Sequence, residues 1–192
     1  LLAAHPHLRG VLFDLPSVVD GARETLRQAG LAERCDVVAG DFREAVPKRV
    51  NEILASCRLD DPGARKVGGD LIVPFERLGE MLRIYEEGFS RRGLPYAIWG
   101  HASDGNLHPN AIPRTSAEAR AASEALLEFG DEAARRGGCP LSEHGVGKSP
   151  AKQEMMRRFL GDAAIREMRA IKSALDPSWR MAPGVLFGNR GQ

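Results

Sequence analysis

The dipeptide Asp104-Gly105 lies between two extended runs, Trp99 to Ser103 and Asn106 to Asn110, and no other feature constrains the chain as much. Asp-Gly in that setting signals a β-hairpin, because both central residues of a type I′ turn need positive φ. With these two as the loop, Ser103 faces Asn106, Ala102 faces Leu107 and His101 faces His108. Side chains on a strand alternate with period two, so both imidazoles leave one face with Cβ atoms about 5 Å apart. That spacing suits two ligands on one ion. Asn106 and Asn110 share the face, which is polar where a core face would be apolar. The bland alternative is a pair of surface histidines on a solvated hairpin.

The rest of the chain reads as elements around that hairpin. Gly10 to Leu15 is a strand, Pro16-Ser17 leads into a helix to about Ala29, and Asp36 to Gly40 is a second strand. This is one βαβ unit, the building block of a parallel sheet. After Pro47 come a helix around Lys48 to Cys57 and a strand from Asp70 to Val73. Phe75, Leu78, Met81, Leu82, Tyr85 and Phe89 then recur at helical spacing with charged residues between them, and Gly93 ends that helix. Beyond the hairpin follow an alanine-rich helix from Ser116 to Arg136, a glycine-bearing loop, and helices over Pro150 to Leu160 and Asp162 to Leu175. The order predicts an α+β fold, an antiparallel sheet covered by helices, behind an N-terminal βαβ piece.

A formal charge of +1 with no basic run longer than a pair excludes the phosphate-neutralising stripe of a nucleic-acid binder, so the expected partner is a small molecule. Apolar stretches of a few residues exclude a transmembrane helix or secretory signal. Three widely spaced cysteines without a CxxC pair read as free thiols of a reducing compartment, with the cytoplasm expected. The chain opens without methionine, and it reads as a fragment.

A second polar cluster, Ser142-Glu143-His144-Gly145-Val146-Gly147-Lys148, sets an acid beside a histidine in a loop whose glycines permit tight turns. Two imidazoles and one carboxylate with an open fourth position make up a catalytic zinc site. Lys148, Arg65 and Lys66 are candidates for pairing with a substrate carboxylate, against the plainer reading of solvated surface cations. Gly147-Lys148-Ser149 resembles the end of a phosphate-binding P-loop, but Ser142 stands where that motif needs glycine.

From about Arg43 onward these motifs resemble the C-terminal domain of FAD-linked oxidases of the vanillyl-alcohol oxidase and p-cresol methylhydroxylase superfamily, above all D-lactate, D-2-hydroxyglutarate and glycolate dehydrogenases. The signals are Gly100-His101 with Asp104 to His108, then Glu143 to Gly147, then Lys172 with Leu175-Asp176-Pro177, and Pro183-Gly184. The resemblance implies that His101, His108 and Glu143 ligate a divalent metal, usually zinc. It also implies that Asn110 helps place a 2-hydroxy acid and that His144 takes the hydroxyl proton; Lys148 is a further candidate for the acid, and Asn106 and Gly145 are candidates for contact with the flavin. Ser103 stands where that family often has glycine, and Ala182 where many members have asparagine. An FAD-binding domain is expected outside this chain, which is expected to be inactive alone.

Residues 1–43 resemble instead the middle of a SAM-dependent small-molecule O-methyltransferase, through His5 to Pro16, Gly30 to Cys35 and Gly40-Asp41-Phe42. That implies a Rossmann-like fragment in which Asp14 would bind the ribose and Asp41 and Phe42 would lie near the adenine. The glycine-rich loop that should precede the first strand is absent, so SAM is not expected to be held. The expected domains are 1–43 and 44–192. The competing readings are a methyltransferase relic and a metal-binding module without turnover.

Overall fold

The computed structural model describes residues 2–188, and the side chains of residues 42–49 lie outside that description. The chain folds as two units, residues 1–56 and residues 57–192.

In the first unit β1 (Gly10–Asp14), α1 (Pro16–Gln28) and β2 (Cys35–Ala39) form the expected βαβ arrangement. The strands pair in parallel, Gly10 with Cys35 through Asp14 with Ala39. Proline at the start of α1 costs nothing, since the first helical N–H groups have no partner within the helix. The Arg34 guanidinium ties the leading segment down by donating to the carbonyls of Leu2, His5, Pro6 and Leu8. Val11 and Val38 remain exposed on this two-stranded sheet. Helix α2 (Phe42–Asp60) begins before Pro47, earlier than expected, and runs through position 43.

The second unit is built on β6 (Asn106–Ala111). On one side β6 pairs antiparallel with β5 (Tyr96–His101), and on the other with β3 (Val67–Gly68) and β4 (Leu71–Ile72) in tandem. β3 and β4 share one register against β6, interrupted opposite Pro109, which has no N–H to give to the ladder.

Alternation then sorts the sheet into two faces. Val67, Leu71, Leu107 and Ala111 point to one face and pack with Leu78, Met81, Tyr85 and Phe89 of α3 (Leu78–Ser90) and with Ala122, Leu126 and Phe129 of α4 (Ser116–Arg135). Tyr85 and Phe89 each meet the Phe129 ring edge-on at 5.0 Å, and Gly88 gives that ring its room, since a Cβ there would lie 2.4 Å from it. Phe75 does not join this stripe. It precedes α3 in a short 3-10 turn and is exposed, because the helical phase begins only at Leu78.

Helix α4 begins on a Thr115 cap whose hydroxyl accepts the Glu118 N–H. The two expected C-terminal helices meet end to end as α5 (Pro150–Leu175), broken at Gly161, whose φ of 83° no helix allows. Asp176 closes α5 by accepting from the Lys172 ammonium and from the N–H groups of Arg180 and Met181. Among the described residues no helix is long and apolar enough to cross a membrane.

Candidate metal centre

The face of the sheet turned away from the helical core carries Asn106, His108 and Asn110 of β6, all buried. Their cross-strand partners on β5 are His101, Trp99 and Ala97. This register corrects the sequence expectation. His101 pairs with Asn106, not with His108. The loop is longer than two residues: Ala102–Asp104 form a 3-10 turn, and Gly105 alone is left-handed, with φ of 78°. The Asp104 carboxylate accepts the Asn106 N–H at 3.3 Å, as aspartates in turns do. Gly105 is pinned to the neighbouring chain, for Val73 N–H donates to its carbonyl at 3.1 Å and a Cβ on Gly105 would lie 2.0 Å from the Val73 oxygen. The pairing slips by two residues, which keeps every side chain on its face where a slip of one would have exchanged the faces. His101 and His108 are therefore diagonal neighbours with ring centroids 6.1 Å apart.

On the other side of β6, Gly68 faces Asn110 and Ile72 faces Asn106, so the shared register sets Asp70 opposite His108. Gly68 has no side chain where a Cβ would lie 2.4 Å from the Asn110 amide oxygen. Beyond this edge, Cys139 exchanges both backbone hydrogen bonds with Ile72, and Ser142 N–H donates to the Asp70 carbonyl at 3.2 Å. The chain then turns over the sheet at Asp70. The Asp70 carboxylate, 1% exposed, accepts the N–H groups of Glu143 and His144 on one oxygen and the Ser142 hydroxyl, at 2.5 Å, on the other. Burial alone would push its pKa up. The His144 N–H, the Ser142 hydroxyl and the Glu143 N–H together outweigh burial and hold it below the ordinary carboxylate value.

This loop brings Glu143 over the histidines. Its Oε1 lies 3.0 Å from His108 Nε2, 3.7 Å from His101 Nε2 and 3.4 Å from His144 Nε2. Two atoms bound to one tetrahedral zinc at about 2.0–2.1 Å each stand roughly 3.4 Å apart, so the donor set of His101, His108 and Glu143 fits such an ion. Its ligand atoms all lie within 4.8 Å of one another, as do those of a second group, Asp70, His108 and His144. In the second group the carboxylate is already taken up by three donors. Burial, aided by the neighbouring His144 and His101, lowers the His108 pKa against the opposing pull of Asp70 and Glu143. A metal ligand must be neutral in this way. The His144 ring stacks on His108 with centroids 4.4 Å apart.

The other expected site residues are placed as follows. Asn110 is buried on the histidine face and donates to the His108 carbonyl at 2.6 Å. The Asn106 amide oxygen is 3.1 Å from Ser142 Oγ. Gly145 has φ of 68° and open space where a Cβ would stand. Lys148, Arg65 and Lys66 line a cleft of about 770 Å³ with Arg120 and Lys152, and the Lys66 ammonium sits 5.4 Å over the Trp99 ring. In the first unit, Asp14 ends β1 and Asp41 follows β2, at the carboxyl ends of two parallel strands. The Phe42 side chain lies outside the described residues. Sequence reasoning missed Asp70, which read as the start of a strand. Its only local signal is an acid leading into the apolar run Leu71-Ile72-Val73.

Comparison with known proteins finds two families along the chain. A family model described as FAD linked oxidases, C-terminal domain, matches residues 37–186, and one for an O-methyltransferase domain matches residues 1–62. The glycolate oxidase subunit GlcD of Bacillus subtilis is 32% identical over 120 residues, 62% of this chain and 25% of that protein. The mitochondrial D-lactate dehydrogenase (cytochrome) 1 of Saccharomyces cerevisiae is 31% identical over 135 residues, 70% of this chain and 23% of that protein. The mitomycin biosynthesis 6-O-methyltransferase of Streptomyces lavendulae is 43% identical over 61 residues, 32% of this chain and 18% of that protein. The chain thus spans about a quarter of the length of these two oxidase relatives.

Proposed function

This chain belongs to the family of FAD linked oxidases, C-terminal domain, and from that membership we propose that residues 57–192 hold the metal and substrate of an FAD-dependent dehydrogenase. The substrate is a D-2-hydroxy acid of the lactate, glycolate or 2-hydroxyglutarate type. The observation that carries this reading is the convergence of His101 Nε2, His108 Nε2 and His144 Nε2 on Glu143 Oε1.

His101, His108 and Glu143 would hold a divalent cation such as zinc, whose chemistry is to lower the pKa of the substrate hydroxyl and engage its carboxylate. His144, beside the ligands and half exposed, takes the hydroxyl proton at Nε2. Asn110 and Lys148 orient the acid. Asn106 braces the Ser142 turn, and Gly145 leaves bare backbone for a flat ring to approach. Accepting the hydride from the substrate carbon is the chemistry that FAD supplies. The hydroxy acid thereby loses a proton and a hydride and becomes a 2-oxo acid.

The N-terminal unit is read as a Rossmann-like piece of an O-methyltransferase, with Asp14 and Asp41 where open parallel sheets bind their ligands. The seam at 43/44 falls in the interval 37–62 that both family models match. Three free thiols, Cys35, Cys57 and Cys139, favour a reducing compartment such as the cytoplasm. Zinc analysis, calorimetry with SAM, and flavin bleaching by D-lactate, glycolate or D-2-hydroxyglutarate test these readings. Zinc uptake near one ion per chain is expected. A protein that takes up no zinc overturns the centre, and one that takes up zinc yet never reduces FAD even when assembled with an FAD-binding domain is the metal-binding module without turnover.

A further inference from the structure

We propose that Asp70 is the positioning residue of this centre, a single buried carboxylate that fixes both the loop carrying Glu143 and His144 and the orientation of the His108 ring. The inference rests on the reading of His101, His108 and Glu143 as metal ligands. A neutral imidazole that binds a cation through Nε2 carries its proton on Nδ1, and a buried N–H requires an acceptor. His108 Nδ1 is buried and has no hydrogen-bond partner among the described residues. The carboxylate facing it is Asp70, with Oδ1 3.6 Å away, slightly beyond hydrogen-bond length and within reach of a small ring tilt.

Asp70 is tied to the other ligand as well. Its Oδ2 accepts the N–H groups of Glu143 and His144, and Oδ1 accepts the Ser142 hydroxyl. One side chain thus couples a ligand on β6 to a ligand and the proton acceptor on a loop more than thirty residues away in sequence. Carboxylates behind metal-bound imidazoles fix the tautomer and raise ligand basicity, and their loss typically costs about 10–100-fold in metal affinity. The three donors leave Asp70 poorly available as a ligand itself.

Asp70→Asn separates orientation from anchoring. The amide oxygen still accepts the loop N–H groups, but the amide nitrogen presents no acceptor to His108. In the metal-free full chain, the Glu143 and His144 amides are expected to be protected from exchange, and to lose that protection in Asp70→Ala more than in Asp70→Asn. In zinc titrations Asp70→Asn is expected to bind about 10–100-fold more weakly than wild type, with a smaller loss of Tm than Asp70→Ala. Zinc-loaded wild type should show a slowly exchanging His108 Nδ1–H resonance that the variant lacks. Freely exchanging Glu143 and His144 amides in wild type, or an Asn variant that binds zinc as tightly as wild type, would overturn the proposal. Should Asp70→Ala fail to fold, the isosteric Asn variant carries the test. A wild type that takes up no zinc overturns the metal reading and the orienting role with it, and amide protection, read without metal, tells that failure from failure of the anchor.

Discussion

His101 and His108 meet as diagonal neighbours with ring planes at 89°, one side chain 62% exposed and the other 6%. The two proposed ligands therefore differ in what they do without metal. His101→Ala is expected to leave the Tm of the metal-free chain near wild type and to lower zinc affinity by more than the roughly 100-fold typical of an outer-shell loss. His108→Ala should lower affinity similarly and also cost on the order of 2 kcal/mol of stability, because it leaves a buried cavity beside Asp70. Zinc titration and calorimetry on both variants check this. Equal Tm losses would contradict the asymmetry.

In the proposed centre His144 stands beside the three ligands without being one of them. In the assembled enzyme, His144→Ala is expected to reduce 2-hydroxy acid oxidation by about 10²–10⁴-fold, with zinc uptake unchanged. Loss of zinc together with activity would make His144 a ligand, as in the alternative group with Asp70 and His108.

A pH dependence follows from Asp61, whose carboxylate accepts the N–H and hydroxyl of Ser116, each at 2.6 Å, at the start of α4. The Ser116 hydroxyl, the Ser116 N–H and then the Gly63 N–H hold its pKa below the ordinary value. A carboxylate depressed in the folded state adds stability above its unfolded pKa, and that stability is lost as pH falls through the folded pKa. Asp61→Asn should therefore lower Tm at about pH 6, and the gap to wild type should narrow as pH falls below the ordinary aspartate value of about 3.9. A gap independent of pH would mean that the charge plays no part.

Ala182 adopts φ of 44°, a left-handed conformation that alanine resists and asparagine or glycine accepts. Ala182→Asn and Ala182→Gly are each expected to stabilise the chain by roughly 0.5–1 kcal/mol. Denaturant unfolding of the two variants measures this, and destabilisation by both would contradict the strain.

Local pattern alone determined a good deal of this protein. The apolar period over Leu78 to Phe89, the strand-helix-strand order of the first unit, the hairpin and the shared face of its two histidines are all present, since period and turn chemistry act between near neighbours. The glycine-rich loop with Glu143 and His144 was equally legible as a polar cluster. Tertiary structure decided the hairpin register, because contact between Gly105 and Val73 favours a longer turn than Asp-Gly needs. It also decided the partner of His108. Nothing near Asp70 in the chain tells which strand it will face, because that depends on pairing with a segment far along the chain, chosen by burial of Val67, Leu71, Leu107 and Ala111 on the opposite face. Once that apolar face is buried, alternation carries Asp70 and His108 to the other side together, where the loop from Ser142 to His144 closes over them.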